Sequence, residues 1–169
     1  MQQFPFNAPL VSYFWSAPPG VTRVMVELWG AGGGGGPLTG GGAGAYSKSL
    51  IAVTPGTVYT IIVGGGGQFF VLGGPDAAGG ATSSMNLAGN TLIYAGGGGP
   101  SGGQRHDYGT VAIGGVGDPN AAISHDGFLS TVGDGGSAFG ASFCPNGGVT
   151  GHGGRIFEGG YPGYVLLVW

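Results

Sequence analysis

The chain has 169 residues, of which 44 are glycine and only 7% are charged, and its formal net charge is −3. Its 4 lysines and arginines are scattered singly, which argues against a nucleic-acid-binding surface. Disorder is disfavoured because 41% of the residues are hydrophobic and occur in blocks. Collagen is excluded because glycine does not recur at every third position.

Seven segments predict β-strands and none predicts an α-helix. The segment 21–29 is typical, because Val24, Val26 and Leu28 alternate with residues of the opposite face, as in a half-buried strand. Turns are predicted at 54–56, a Pro-Gly turn, and at 87–90, each closing a hairpin. In chain order, the predicted strands lie near 10–16, 21–29, 45–53, 57–63, 81–86, 91–95 and 164–169.

The glycine runs have a consistent position relative to these strands. Three strands run into glycine and three leave it, so the glycines are predicted to lie at one end of a β-sandwich-like module. The turns then lie at the other end, and both termini lie on the β-module. The strands that enter glycine are 21–29, 57–63 and 91–95, and those that leave it are 45–53, 81–86 and 164–169.

The glycine end is predicted to be a bundle of polyglycine II helices. Each ordered glycine costs about 0.5–1 kcal/mol more backbone entropy than alanine, so a compensating interaction is required. Extended threefold helices have free N–H and C=O groups that neighbouring helices can pair. Residues 96–162 contain no convincing strand and would supply most helices of a single domain spanning residues 1–169. Irregular glycine loops are the alternative.

Catalysis, cofactors and metals are not predicted. Gly30, Gly32 and Gly35 fit the dinucleotide-binding glycine pattern, but no helix and no acidic residue follow at the required distance. His106-Asp107 and His125-Asp126 lack further metal-ligand spacing. No nucleophile elbow accompanies the serines, so an enzyme is not expected. The single cysteine, Cys144, excludes an internal disulfide.

The order of elements carries a resemblance. The quoted stretches "PPGVTRVMVELWGAGGGGG", "GAGAYSKSLIAVTPGTVYTIIVGGGG", "LIYAGGGGPSGG" and "GYPGYVLLVW" together resemble the glycine-rich domain common in bacteriophage tail-fibre and other virion proteins. More distantly, the chain is similar to the glycine-rich domain of anaplastic lymphoma kinase, a secreted and disulfide-bearing family. The tip adhesins of some T-even-type phage fibres are also similar in their stacked polyglycine II helices.

The resemblance implies a bacteriophage virion protein, a fibre or tip adhesin that presents host-recognition loops. The expected partners are a host surface receptor, protein or glycan, and other virion proteins. A non-binding virion module, such as a capsid decoration or fibre-joining protein, is one alternative, and an ice- or carbohydrate-binding protein is another. The sequence has no secretion signal and no apolar run of about 20 residues, so location in the virion after synthesis in the host cytoplasm is expected, without membrane insertion.

Receptor contacts are predicted in loops that leave the lattice away from the β-module. These loops mix aromatic, histidine and charged side chains, as interface hot spots do, although some phenylalanines would instead cap the bundle. The predicted loops are 68–76, 104–109, 122–130, 139–145 and 155–158. The predicted contact residues are Phe69, Phe70, Arg105, His106, Tyr108, His125, Phe128 and Phe143.

Assembly is predicted at the β-module end. Trp15, Val165, Leu167 and Trp169 lie near the termini and represent more apolar surface than a small module is expected to hide. We therefore expect a homo-oligomer, with a trimer favoured. The alternative is that these residues fill the sandwich core.

Overall fold

A computed structural model describes residues 1–5, 11–71, 76–100, 112, 114–129, 136, 151–155 and 158–169. Within these residues the chain is mainly β, with two antiparallel sheets and no helix. The strands are β1 (Gln2–Pro5), β2 (Val11–Ser16), β3 (Arg23–Trp29), β4 (Tyr46–Ala52), β5 (Val58–Val63), β6 (Ser83–Leu87), β7 (Asn90–Ala95), β8 (Ile123–His125) and β9 (Tyr164–Val168).

The two sheets pack face to face as a small sandwich. One sheet has the order β1-β9-β3-β4-β8 and the other β2-β5-β6-β7. Alternate residues of the strands point into a shared core, as in β3, where Val24, Val26 and Leu28 are fully buried. Tyr59 and Ile61 of β5 meet them from the other sheet. Burial of each such aliphatic side chain contributes about 1.5–3 kcal/mol, so this core stabilises the module.

All seven predicted strands are confirmed, with ends displaced by no more than two residues. Two short strands were missed. β1 has the sequence QQFP, and the three residues of β8 lie in a region predicted to contain no strand. Both strands are too short to show a recognisable alternation of apolar and polar residues. They are stabilised by pairing, β1 with β9 and β8 with β4.

The predicted hairpin at 54–56 is wrong, whereas that at 87–90 is confirmed. β4 and β5 belong to different sheets, so the Pro-Gly turn carries the chain across the end of the core. The N–H of Gly56 donates to the carbonyl of Ala17 at 2.8 Å. At the second turn β6 and β7 pair, and Ala88 and Gly89 have φ values of 49° and 84°, as a two-residue type I′ hairpin requires.

The predicted two-ended arrangement is confirmed. Trp29, where β3 ends, pairs with Tyr46 and with Tyr164, where β4 and β9 begin. The last residue of β7 pairs with Ser83 at the start of β6. The glycine segments therefore leave the sandwich side by side at one end. They also remain together, since Gly98 donates its N–H to Ala31 at 2.8 Å.

Candidate functional site

The glycine segments form a hydrogen-bonded lattice around residues 30–36, which we call the central segment. Its N–H groups donate to three neighbouring segments in rotation, so residues three apart donate to the same neighbour. All six bonds are 2.8–3.1 Å long. Gly30 and Gly33 donate to Ala45 and Gly42 of the first neighbour, and Ala31 and Gly34 donate to Ala81 and Ala78 of the second. Gly32 and Gly35 donate to Tyr161 and Glu158 of the third. This period of three is that of an extended threefold helix.

The carbonyl groups of the central segment bind three further neighbours. Ala31 accepts from Gly98 at 2.8 Å, Gly32 accepts from Gly67 at 2.9 Å, Gly33 accepts from Gly154 at 2.9 Å, and Gly35 accepts from Phe70 at 3.0 Å. The central segment is therefore surrounded by six neighbours, three at its N–H groups and three at its carbonyls. This is the arrangement expected of a polyglycine II bundle, and it excludes irregular glycine loops for this part of the chain.

Residues 41–45 repeat the pattern beside the central segment. Their N–H groups again rotate among three neighbours, donating at 2.7–3.2 Å from Gly41 to Gly154 and Gly44 to Gly151, from Gly42 to Gly99 and Ala45 to Gly96, and from Ala43 to Phe128. Each bond contributes only about 1 kcal/mol net, but a buried unpaired group would cost about 1–3 kcal/mol. Every N–H group of residues 30–36 and 41–45 is paired, so these donors avoid that cost.

Close packing of backbones explains why glycine is required inside the lattice. A Cβ on Gly32 would collide with the carbonyl group of His152, and one on Gly35 with that of Arg155. Side chains are tolerated only at selected positions, such as Ala31 and Ala43, which are fully buried. The rigid packing leaves larger side chains to the perimeter and ends of the lattice.

The end of the lattice opposite the sandwich, which we call the far end, is marked by Gly35 and its neighbours. Gly36 donates its N–H to Thr39 at 2.9 Å to close one turn, and Glu158 donates its N–H to Arg155 at 2.9 Å to close another. Exposed side chains of both apolar and charged type stand here. They are Leu38, Phe69, Val71, Arg155 and Glu158, the first three being 41–43% exposed.

The structure distributes the predicted contact residues over three places. Phe69 is exposed at the far end, whereas Phe70 is buried against it, which is the capping alternative. Phe128 is exposed, but on the flank of the lattice, where its carbonyl accepts from Ala43 at 3.2 Å. The remaining loop candidates, Arg105, His106, Tyr108 and Phe143, lie outside the described residues.

The predicted loop position of His125 is wrong. It lies in β8, opposite Tyr46 of β4, and its imidazole is stacked on the Tyr46 ring with centroids 6.4 Å apart. His125 is therefore part of the sandwich rather than of a far-end loop, because the first half of the segment 122–130 extends the five-stranded sheet before entering the lattice. Leu38, by contrast, was not selected, although a proline and a leucine between two glycine runs indicate a turn.

The predicted exposed patch at the termini is also wrong in three of its four residues. Trp15 is 3% exposed, and Val165 and Leu167 are completely buried, because all three point into the sandwich core. Trp15 packs on Tyr59 and on Trp169, with ring centroids 5.7 and 5.5 Å away. Only Trp169, which is 42% exposed, remains at the surface.

The titratable groups of the sandwich form a structural cluster. Lys48 pairs with Glu27 at 2.9 Å, and the Tyr46 hydroxyl donates to the other Glu27 oxygen at 2.9 Å. Burial, reinforced by this hydrogen bond and by the Glu27 charge, raises the pKa of Tyr46 above its usual range. Burial alone lowers the pKa of His152. The described residues contain no group of three metal-ligating side chains and no helix able to cross a membrane.

Comparison with protein-family models gives a match over most of the chain. The family model of the glycine-rich domain matches residues 8–165, nearly the whole chain. No curated protein sequence matches significantly. The matched region contains the central segment, its neighbours and seven complete strands of the sandwich. The family model therefore covers both the lattice and most of the sandwich. The chain belongs to the glycine-rich domain family.

Proposed function

We propose that this chain is a bacteriophage virion protein, a tail-fibre or tip-adhesin module that binds a host surface receptor through the far end of its lattice. The observation that carries the proposal is the separation of the two ends. β1 and β9, which hold the termini, pair with each other in the sandwich, whereas Phe69 and Val71 are exposed at the opposite end. A module attached through its termini would direct the far end outward.

The lattice suits this role because it is rigid. Phe69 is flanked by Gln68, whose carbonyl accepts from Ala78 at 2.9 Å, and by Phe70, whose N–H donates to Gly35 at 3.0 Å. Ordering a loop or a side chain on binding costs free energy, about 0.5–1.5 kcal/mol for each flexible side chain. A backbone already fixed by the lattice lowers this cost, so that even a small apolar surface can bind a partner.

The chemistry of the far end favours an apolar contact with a charged rim. Leu38, Phe69 and Val71 supply the apolar area. Arg155 and Glu158 are exposed beside them and would align the partner by charge, which affects association rate and specificity more than affinity. This combination is the usual composition of an interface centre and its rim.

The experiment measures the affinity of the purified chain for host cells. A double variant, Phe69→Ser with Val71→Ser, is compared with Val58→Ser with Val168→Ser, which changes two exposed side chains of the sandwich. If the far end binds the receptor, the first pair lowers the affinity of the purified chain for cells at least tenfold, since loss of interface anchors costs about 2 kcal/mol or more. The second pair leaves it unchanged.

Two results contradict the proposal. Unchanged cell binding by a folded far-end variant would favour the non-binding virion module. Failure to detect the chain in purified virions by mass spectrometry would remove the virion assignment itself. Circular dichroism and thermal melting of each variant verify that the fold is retained.

A further inference from the structure

The edges of the two sheets are protected to different degrees. An edge strand presents unpaired N–H and C=O groups, and proteins protect it with short length, proline, charge or a covering segment. Within the described residues, the sandwich has four edge strands, β1 and β8 in one sheet and β2 and β7 in the other. An unprotected edge is a docking site for another strand.

Three of the four edges are protected. β1 has four residues and ends with Pro5, which has no N–H, and β8 has only three residues. β7 is covered, because the N–H of Tyr94 donates to a carboxylate oxygen of Asp118 at 3.3 Å and Ala95 forms a bridge with Gly117. These features leave little backbone available for pairing at any of the three.

β2 has none of these protections within the part of the chain that the structure describes. It has six residues without charge or proline, and within the described residues it pairs with β5 alone. Phe14, on the outer face of this strand, is 75% exposed, the largest exposure of any large hydrophobic side chain in the described part of the chain. An uncharged edge with an exposed aromatic residue at its centre is suited to pairing with another strand.

The sequence of β2 is self-complementary about Phe14. Residues 12–16 read Ser-Tyr-Phe-Trp-Ser, so hydroxyl and aromatic residues are arranged symmetrically around the central position. In an antiparallel pair of two copies with Phe14 opposite Phe14, Ser12 lies opposite Ser16 and Tyr13 opposite Trp15. Each pair then has both members on the same face of the sheet, as the pleat requires.

We propose that β2 pairs antiparallel with β2 of a second copy of this chain, with Phe14 opposite Phe14. The two four-stranded sheets then form one continuous sheet across a twofold axis. Because the contact uses the same surface on both copies, it closes at a dimer. The inference does not rest on the proposed function, and it differs from the trimer expected from the sequence.

Sedimentation provides the first test. The purified chain is expected to form a dimer that dissociates in the range of about 1–100 µM, typical of a small interface. Phe14→Lys places two ammonium groups opposite each other and is expected to raise the dissociation constant at least about tenfold. Val58→Lys is the matched control, since Val58 is also exposed on the outer face but lies one strand inside the edge. It is expected to leave the dimer intact.

Cross-linking tests the register in a background with Cys144→Ser. Directly opposite residues of antiparallel strands lie about 4.5–5.5 Å apart, within reach of a disulfide. Phe14→Cys alone is expected to give an oxidised dimer, as is a mixture of Ser12→Cys and Ser16→Cys chains. Ser12→Cys alone and Val58→Cys alone are expected to remain unlinked.

The outcomes that overturn the inference are distinct. A monomer at about 100 µM, a trimer, or equal dissociation by Phe14→Lys and Val58→Lys would each exclude edge pairing. Efficient cross-linking through Val58→Cys would indicate that the outer faces stack instead. A monomeric chain that binds cells would exclude this dimer and leave the proposed function intact. A dimeric chain that does not bind cells would exclude the proposed function and leave the dimer intact.

Discussion

The carbonyl oxygen of Gly99 occupies the space that a Cβ on Gly33 would need. Gly33 also donates its N–H to the carbonyl of Gly42 and accepts from the N–H of Gly154, and these bonds fix its position on two other sides. The backbone therefore cannot move away from an added methyl group without breaking hydrogen bonds. Glycine at this position is a requirement of packing rather than of an unusual φ angle.

Gly33→Ala is therefore expected to destabilise the chain strongly. Overpacking commonly costs about 1–3 kcal/mol, and a collision with backbone places this variant at or above the upper end. Gly79→Ala is the control, because Gly79 is exposed and the nearest atom to its Cβ, a carbonyl oxygen, is 3.3 Å away. Urea unfolding measures both, and equal losses of stability would contradict the packing argument.

Trp15→Ala is expected to cost about 3–5 kcal/mol, the usual range for removal of a buried aromatic side chain. Trp169→Ala removes a partly exposed ring from the same contact and is expected to cost about 1 kcal/mol, the scale of one aromatic pair. Thermal unfolding distinguishes them. If Trp15→Ala were as mild as Trp169→Ala, Trp15 would not be a core residue.

Asp118→Ala is expected to destabilise the chain by about 1–3 kcal/mol, because it removes the acceptor of two part-buried hydrogen bonds, each contributing about 0.5–1.5 kcal/mol. The Asp118 carboxylate is 5% exposed and accepts from Asn120 at 2.9 Å as well as from Tyr94. Asp76→Ala, which removes an exposed acid, is expected to change the unfolding free energy by less than about 0.5 kcal/mol. Chemical denaturation at neutral pH compares the two variants.

Tyr46 is expected to make stability depend on alkaline pH. Its pKa is raised above the ordinary 10.0 in the folded chain, mainly by burial and also by Glu27. The associated stability is fully present below pH 10.0 and is lost as the pH rises through the folded pKa. Between about pH 8 and 11, the unfolding free energy should fall more for the natural chain than for Tyr46→Phe. Equal falls would contradict the shift.

Much of the fold could be predicted because alternation and glycine placement are local signals. The strand 21–29 was recognised from its period of two, and its entry into glycine beside the strands at 45 and 164 predicted the two-ended arrangement. The hairpin at 87–90 followed from a short turn sequence that accepts positive φ values. The lattice was predicted because only backbone pairing could offset the entropy of so much ordered glycine.

What lay beyond prediction depended on contacts between distant residues. A Pro-Gly turn specifies a reversal of the chain but not whether the next strand pairs or crosses the core, so the position of β5 was decided by packing. The apolar residues Trp15, Val165 and Leu167 could equally have formed a surface or a core. β8 and the placement of His125 depend on pairing with β4, which three residues do not encode.

The sequence by itself therefore determined the class of structure, a β-module with its glycine at one end, because periodicity and backbone freedom are properties of local chain segments. Only the tertiary structure decided which aromatic residues are exposed, since burial is set by the opposing sheet. It also decided which edge strand is unprotected among the described residues. Phe14 and Trp15 are neighbours in one strand with the same apolar chemistry, and the pleat alone places one in solvent and the other in the core.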